Sequence, residues 1–113
     1  MTNNEKKYLS DINTAIERLY IHLTGIDNEE TYAKNVTVKS AVERELEIIG
    51  EAMNYLLHIS PDIGITTPQQ VISMRNRLIH GYDSIDDKVI LQVVKDHIPI
   101  LKSEVEKLLE GDE

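Results

Sequence analysis

VKSAVERELEIIGEAMNYLLHI, residues 38–59, is the stretch on which the fold turns. Val38, Ala41, Val42, Leu46, Ile49, Ala52, Met53, Leu56 and Leu57 recur along it at steps of three and four, the period of one helical face, and Ile48 and Ile59 widen that face. A stripe this wide marks a central helix with neighbours on more than one side. Gly50 stands in its middle at a cost of about 1 kcal/mol relative to Ala. It is either the point where another helix comes close or a tolerated irregularity.

Both flanks carry the same period. From Asn4 to about Thr24, Leu9, Ile12, Ile16, Leu19 and Leu23 form one face, and Gly25 ends the helix. Asp27 is the expected N-cap of a short polar segment to about Asn35, with Glu29 and Glu30 at the positive end of its dipole. On the other side, Ser60-Pro61-Asp62 and Gly64 break the pattern, and Thr67-Pro68 is the cap and first position of a fourth helix. That helix turns Val71, Ile72, Met74, Leu78 and Ile79 inward and stops near Gly81. Asp86 caps a fifth, striped by Val89, Ile90, Val93, Val94, Leu101, Val105, Leu108 and Leu109. Pro99 lacks the amide that would bond back to Lys95, so it is expected to kink or divide this helix. With no strand-like alternation and no repeat, the expected architecture is all-α. It is an up-and-down helical bundle of four main helices plus a short extra helix, in one domain over residues 1–113. The acidic EGDE end is expected to fray.

Composition narrows the function. The 113 residues include 20 Asp and Glu against 12 Lys and Arg, a net charge of −8 that opposes broad, charge-driven binding of nucleic acid. Any such contact has to be local. Without cysteine there is no disulfide, thiolate nucleophile or thiolate metal site. No stretch resembles a signal peptide or a membrane span, so a cytoplasmic location without membrane contact is expected. His22, His58 and His97 lack a second ligand at metal spacing, and no Glu stands three residues before any His. They are read as surface or packing residues. Glu43, Glu47 and Glu51, at i, i+4 and i+8, form a carboxylate row better explained as a solvated face than as a cation site. Phosphate loops and a Ser-His-Asp grouping are missing.

Polar chemistry concentrates in MRNRLIHGYDSID, residues 74–86. Asn76 and His80 are neighbours at i and i+4, whereas Arg75 is turned about 140° from His80 on an ideal helix. Arg75 and His80 of one chain therefore meet on one phosphate only if the helix end distorts, or if a second protomer brings its own motif alongside. The geometry favours a shared site at a twofold interface. Histidine exchanges protons near neutral pH, and arginine offers a permanently charged planar fork to phosphate oxygens. Asn76 is placed to orient either. On RNA the 2′-hydroxyl would be the internal nucleophile, no cofactor or metal would be required, and the product would be a 2′,3′-cyclic phosphate. The structural alternative is that Arg75, Arg77 and His80 complement the negative end of the fourth helix, with Asp83 pairing nearby. Arg77, about 200° from Arg75, serves that end or a substrate phosphate.

Arg75, four residues, His80, one residue and Tyr82, with Met74 before and Asp83, Ile85 and Asp86 after, resembles the motif of HepT-like toxins of the HEPN superfamily of ribonucleases. The run AVERELEIIGEA, residues 41–52, is similar to the central helix of that family. The resemblance implies a metal-independent endoribonuclease of a type II or type VII toxin-antitoxin pair. It implies a homodimer with a composite site in which Arg75 and His80 are essential and Asn76 supports them. It also implies a nucleotidyltransferase antitoxin of the MntA type that transfers AMP from ATP to Tyr82. The alternative is a non-catalytic helical binding subunit of a nucleotidyltransferase complex, which the charge of −8 favours; a purely structural bundle leaves the clustered polar residues unexplained.

Overall fold

The computed structural model describes residues 1–81 and 85–111; Tyr82, Asp83 and the last two residues of the acidic end lie outside them. Among the described residues six helices follow one another: α1 (Asn3–His22), α2 (Glu29–Lys34), α3 (Val36–Ile59), α4 (Pro68–Ile79), α5 (Asp87–Asp96) and α6 (Ile98–Glu110). The all-α bundle expected from the periodicity is the fold. The expected fifth helix is two, because Pro99 at the second position of α6 divides it beside His97. His97 closes α5 through its amide to Val93 O at 2.9 Å and opens α6 by accepting from Leu101 N at 3.0 Å.

Side chains explain four of the helix starts, whereas Thr67 precedes α4 without a side-chain cap bond. Thr2 and Glu5 form a capping box on α1: Glu5 N donates to Thr2 Oγ1 at 3.1 Å and Thr2 N to Glu5 Oε1 at 2.8 Å. The cap of α2 is Asn28, not Asp27, since Asn28 Oδ1 takes the amide of Thr31 at 2.8 Å. Asn35 likewise accepts from Val38 N at 3.0 Å, which starts α3 two residues before Val38. Asp86 caps α5 as expected, accepting from Lys88 N at 2.9 Å. Gly25 has φ +84°, the left-handed conformation that ends the first helical stretch.

Helix α3 is the spine, with α1 packed along one side and α4 along another; α6 lies against α1 and α5. Leu9, Ile12, Ile16 and Leu19 of α1 meet Leu46, Ile49, Met53 and Leu56 of α3 in one continuous core, joined by Val71, Ile90, Ile98, Leu101 and Val105. Removing each such side chain from water contributes about 1.5–3 kcal/mol. Two expected core residues are exposed, Ile59 at 48% and Ile79 at 46%, and others such as Leu57 and Leu78 are half-buried. Each of the two isoleucines is the last residue of its helix, where the neighbouring helix no longer covers it.

Candidate active site

The site is built on the seam between α3 and α4. A Cβ added to Gly50 would collide with Cβ of Arg75 and stand 2.7 Å from Val71 O and 2.9 Å from Arg75 Cγ. Gly50 is thus a close-contact point between the two helices, the first of its two readings. The consequence is local to the motif, for the stem of Arg75 lies directly on the glycine. Its guanidinium then turns to its neighbour, donating from Nη1 to Asn76 Oδ1 at 3.0 Å. Nε of Arg75 is buried and has no hydrogen-bond partner among the described residues.

α4 remains regular to Ile79, and His80 is its C-cap. The His80 amide still bonds to Asn76 O at 3.0 Å, so its Cα keeps a helical position although its backbone (φ −95°, ψ 12°) leaves the helix there. Asn76 therefore links both ends of the motif: its side chain holds Arg75 and its carbonyl holds His80. The side chains of Arg75 and His80 share no hydrogen bond in the protomer, and His80 is exposed. Neither Arg75 nor Arg77 forms an ion pair among the described residues, although the chain carries 20 carboxylates. Arg77 is exposed on the side of α4 that faces α5.

The remaining polar candidates have structural roles or stand apart. His22 Nε2 meets Glu45 Oε2 at 2.8 Å, and Glu45 is only 6% exposed, so this histidine pairs with a carboxylate buried in the spine. Periodicity did not mark Glu45, since it sits on the apolar arc with nothing in its residue type to distinguish it from the solvated glutamates. Glu47 pairs with Arg44 at 3.5 Å, and burial raises the pKa of Glu43, with Lys39 opposing. No group of three or more His, Asp or Glu among the described residues is arranged to hold a metal ion. No helix among them is long and apolar enough to cross a membrane.

An all-α bundle with an Arg-Asn-x-x-x-His motif closing the helix that packs on a glycine of the central helix defines a class of small helical proteins. Residues 12–108 match the family described as Ribonuclease HepT-like, and the chain belongs to that family. It is similar to the "Probable ribonuclease HepT" of Thermococcus cleftensis, 38% identical over 112 residues that span 96% of this chain and 98% of that protein. It is also similar to a protein of Methanocaldococcus jannaschii named "Putative RNase MJ1380", 34% identical over 102 residues, 89% of this chain and 93% of the relative. No solved structure matches the chain.

Proposed function

We propose that the chain is a metal-independent endoribonuclease, the toxin of a toxin-antitoxin pair, acting as a homodimer with Arg75, Asn76 and His80 in its active site. One observation carries this reading: α4 is regular through Ile79, with Arg75 seated on Gly50 and His80 exposed at the cap. The backbone leaves the helix only at the His80 cap, and Arg75 and His80 share no hydrogen bond, which supports a second copy bringing the missing group to a bound phosphate. Ribonuclease activity itself is supported by the family and by the names of the relatives.

The chemistry follows from the residue types. His80 takes the proton of a ribose 2′-hydroxyl, whose oxygen attacks phosphorus; the P–O5′ bond breaks, and the imidazolium so formed returns its proton to the leaving 5′-oxygen, while the other copy supplies the arginine. A 2′,3′-cyclic phosphate and a 5′-hydroxyl result. Acid–base assistance of this kind is commonly worth about 10² to 10⁴ in rate. Arg75 holds the scissile group and balances the charge that grows in the transition state, and Asn76 fixes its guanidinium. Tyr82 is the control point: an MntA-type nucleotidyltransferase antitoxin transfers AMP from ATP to its phenol, releasing pyrophosphate. The added phosphate charge, two residues from His80, repels an anionic substrate. The second reading, a non-catalytic binding subunit, is favoured by the net charge of −8.

The purified, unmodified protein is expected to cleave RNA in excess EDTA and leave cyclic phosphate ends, whereas His80→Ala loses at least about 10²-fold in rate. Full cleavage by the variant would remove His80 from the mechanism. No cleavage of any tested RNA by the wild type would favour the binding-subunit reading instead. Coexpression with a neighbouring nucleotidyltransferase is expected to add AMP mass to the peptide containing Tyr82.

A further inference from the structure

A second polar concentration lies outside the motif. An open cleft of about 300 Å³ runs between α4 and α5, floored by Met74, Val89 and Val93. Gln69, Gln70, Ser73, Arg77 and His97 rim it. An apolar floor with a few convergent polar groups is the usual composition of a small-molecule seat, and this volume is at the lower bound for one.

Charge distinguishes this cleft. Two others, one beside Tyr8 and Tyr55 and one beside Leu23, each set two carboxylates against one lysine, Asp11 and Glu51 with Lys7 and Asp27 and Glu29 with Lys95. Among the described residues, the lining of the α4–α5 cleft holds no carboxylate. Arg77 has no ion-pair partner among the described residues, and Nδ1 of His97 is buried without a hydrogen-bond partner there. In a chain of net charge −8, this lining offers an anion an unpaired cation with no facing carboxylate among the described residues.

The position of the cleft selects the ligand. Gln69, Ser73 and Arg77 follow one another at i, i+4 and i+8. On an ideal helix Ser73 lies about 20° and Arg77 about 60° from His80, while Arg75 lies about 140° away. Arg77 is about 4.5 Å and Ser73 about 10 Å from His80 along the helix axis. The cleft and His80 thus occupy one face of α4, end to end.

We propose that the α4–α5 cleft seats a nucleotide of the RNA strand flanking the phosphate at His80, its base on the Met74, Val89 and Val93 floor and its phosphate on Arg77. The inference rests on the RNA substrate named above. Glutamine amides and the Ser73 hydroxyl both donate and accept, as the edge of a base requires, and the arginine fork matches phosphate oxygens.

The test measures binding, so it does not depend on cleavage. A fluorescent 2′-O-methyl RNA hexanucleotide, which lacks the nucleophile, is titrated by anisotropy into wild type, Arg77→Ala, Ser73→Trp and Arg18→Ala. Arg18 is exposed on α1 and serves as a control for charge alone. Arg77→Ala is expected to weaken binding about tenfold and to lower the salt slope by about 0.7, one single-strand phosphate contact. Ser73→Trp, which fills the cleft, weakens it comparably, and Arg18→Ala stays within about twofold. Thermal melts check that each variant is folded. Wild-type protein irradiated with 4-thiouridine RNA is expected to crosslink within residues 69–77 or 89–97, a readout that needs no variant. Wild-type affinity in both cleft variants, an equal loss in Arg18→Ala, or crosslinks confined elsewhere would overturn the proposal. Loss of antitoxin binding with RNA binding intact would do so too, marking a protein-docking surface. RNA held in the cleft by a wild type that never cleaves it would sink the ribonuclease reading and leave this one standing; cleavage with unaltered binding would do the reverse.

Discussion

The stem of Arg75, the residue proposed above to hold the scissile phosphate, fits against α3 because Gly50 has no side chain. The two contributions to Gly50→Ala oppose each other. Helix propensity favours alanine by about 1 kcal/mol. Overpacking costs about 1–3 kcal/mol, and it wins because the obstructing atoms, Val71 O and Cβ of Arg75, are fixed to the α4 backbone and cannot swing aside. The expected result is a net destabilisation of about 1 kcal/mol, a fall of several degrees in Tm. RNA cleavage should fall further than the folded fraction does, because relief comes from pushing α4 and Arg75 outward. A Tm equal to or above wild type would mean that the α3–α4 seam has slack.

Among the elements, the ends of α1 and α3 are tied by one carboxylate. Glu5 accepts the Thr2 amide in the capping box and, through Oε2, the Ser60 hydroxyl at 2.7 Å. The Thr2 backbone bond, followed by the Ser60 and Thr2 side-chain bonds, lowers its pKa from 4.5 to about 2. A carboxylate with a depressed folded pKa adds stability that is present above its unfolded value and lost as pH falls through the folded one. The window here is pH 4.5 to about 2. Glu5→Gln keeps an acceptor for the cap but does not titrate. Denaturant melts at pH 5, 3 and 2 should therefore find the advantage of wild type over this variant shrinking as pH falls. A constant difference would show that the contact does not respond to protonation. α5 and α6 make the complementary point about element ends: proline forced the break, but the double use of His97 as closing and opening cap is what keeps the two halves in register.

At the scale of the whole molecule, the divergence of Arg75 and His80 on α4 becomes a statement about two chains. If each site takes its arginine from one copy and its histidine from the other, Arg75→Ala and His80→Ala, each inactive alone, should complement when mixed. Random exchange makes half the dimers mixed, each with one intact site of two, so about a quarter of wild-type activity should return. Recovery is measured on RNA after the dimers are dissociated and reassembled. No recovery, with mixed dimers demonstrated by native mass spectrometry, would place both groups of a site in one chain.

Much of this was legible without coordinates. The wide apolar period of residues 38–59 was enough to identify the spine, since burial on several sides needs that pattern. Pro99 announced a break by its missing amide, and the Arg, Asn and His of the motif were visible by type and spacing. Helix starts were misplaced by a residue or two, because Asn28 and Asp27 are equally good caps until the backbone chooses one. Tertiary structure alone decided what each face meets. That Gly50 touches Arg75, that Glu45 is buried against His22, that Ile59 and Ile79 escape cover, and that α5 closes a cleft over Met74 and Arg77 all depend on contacts between helices. Periodicity reports which side of a helix turns inward; which neighbour waits there is a property of the packing.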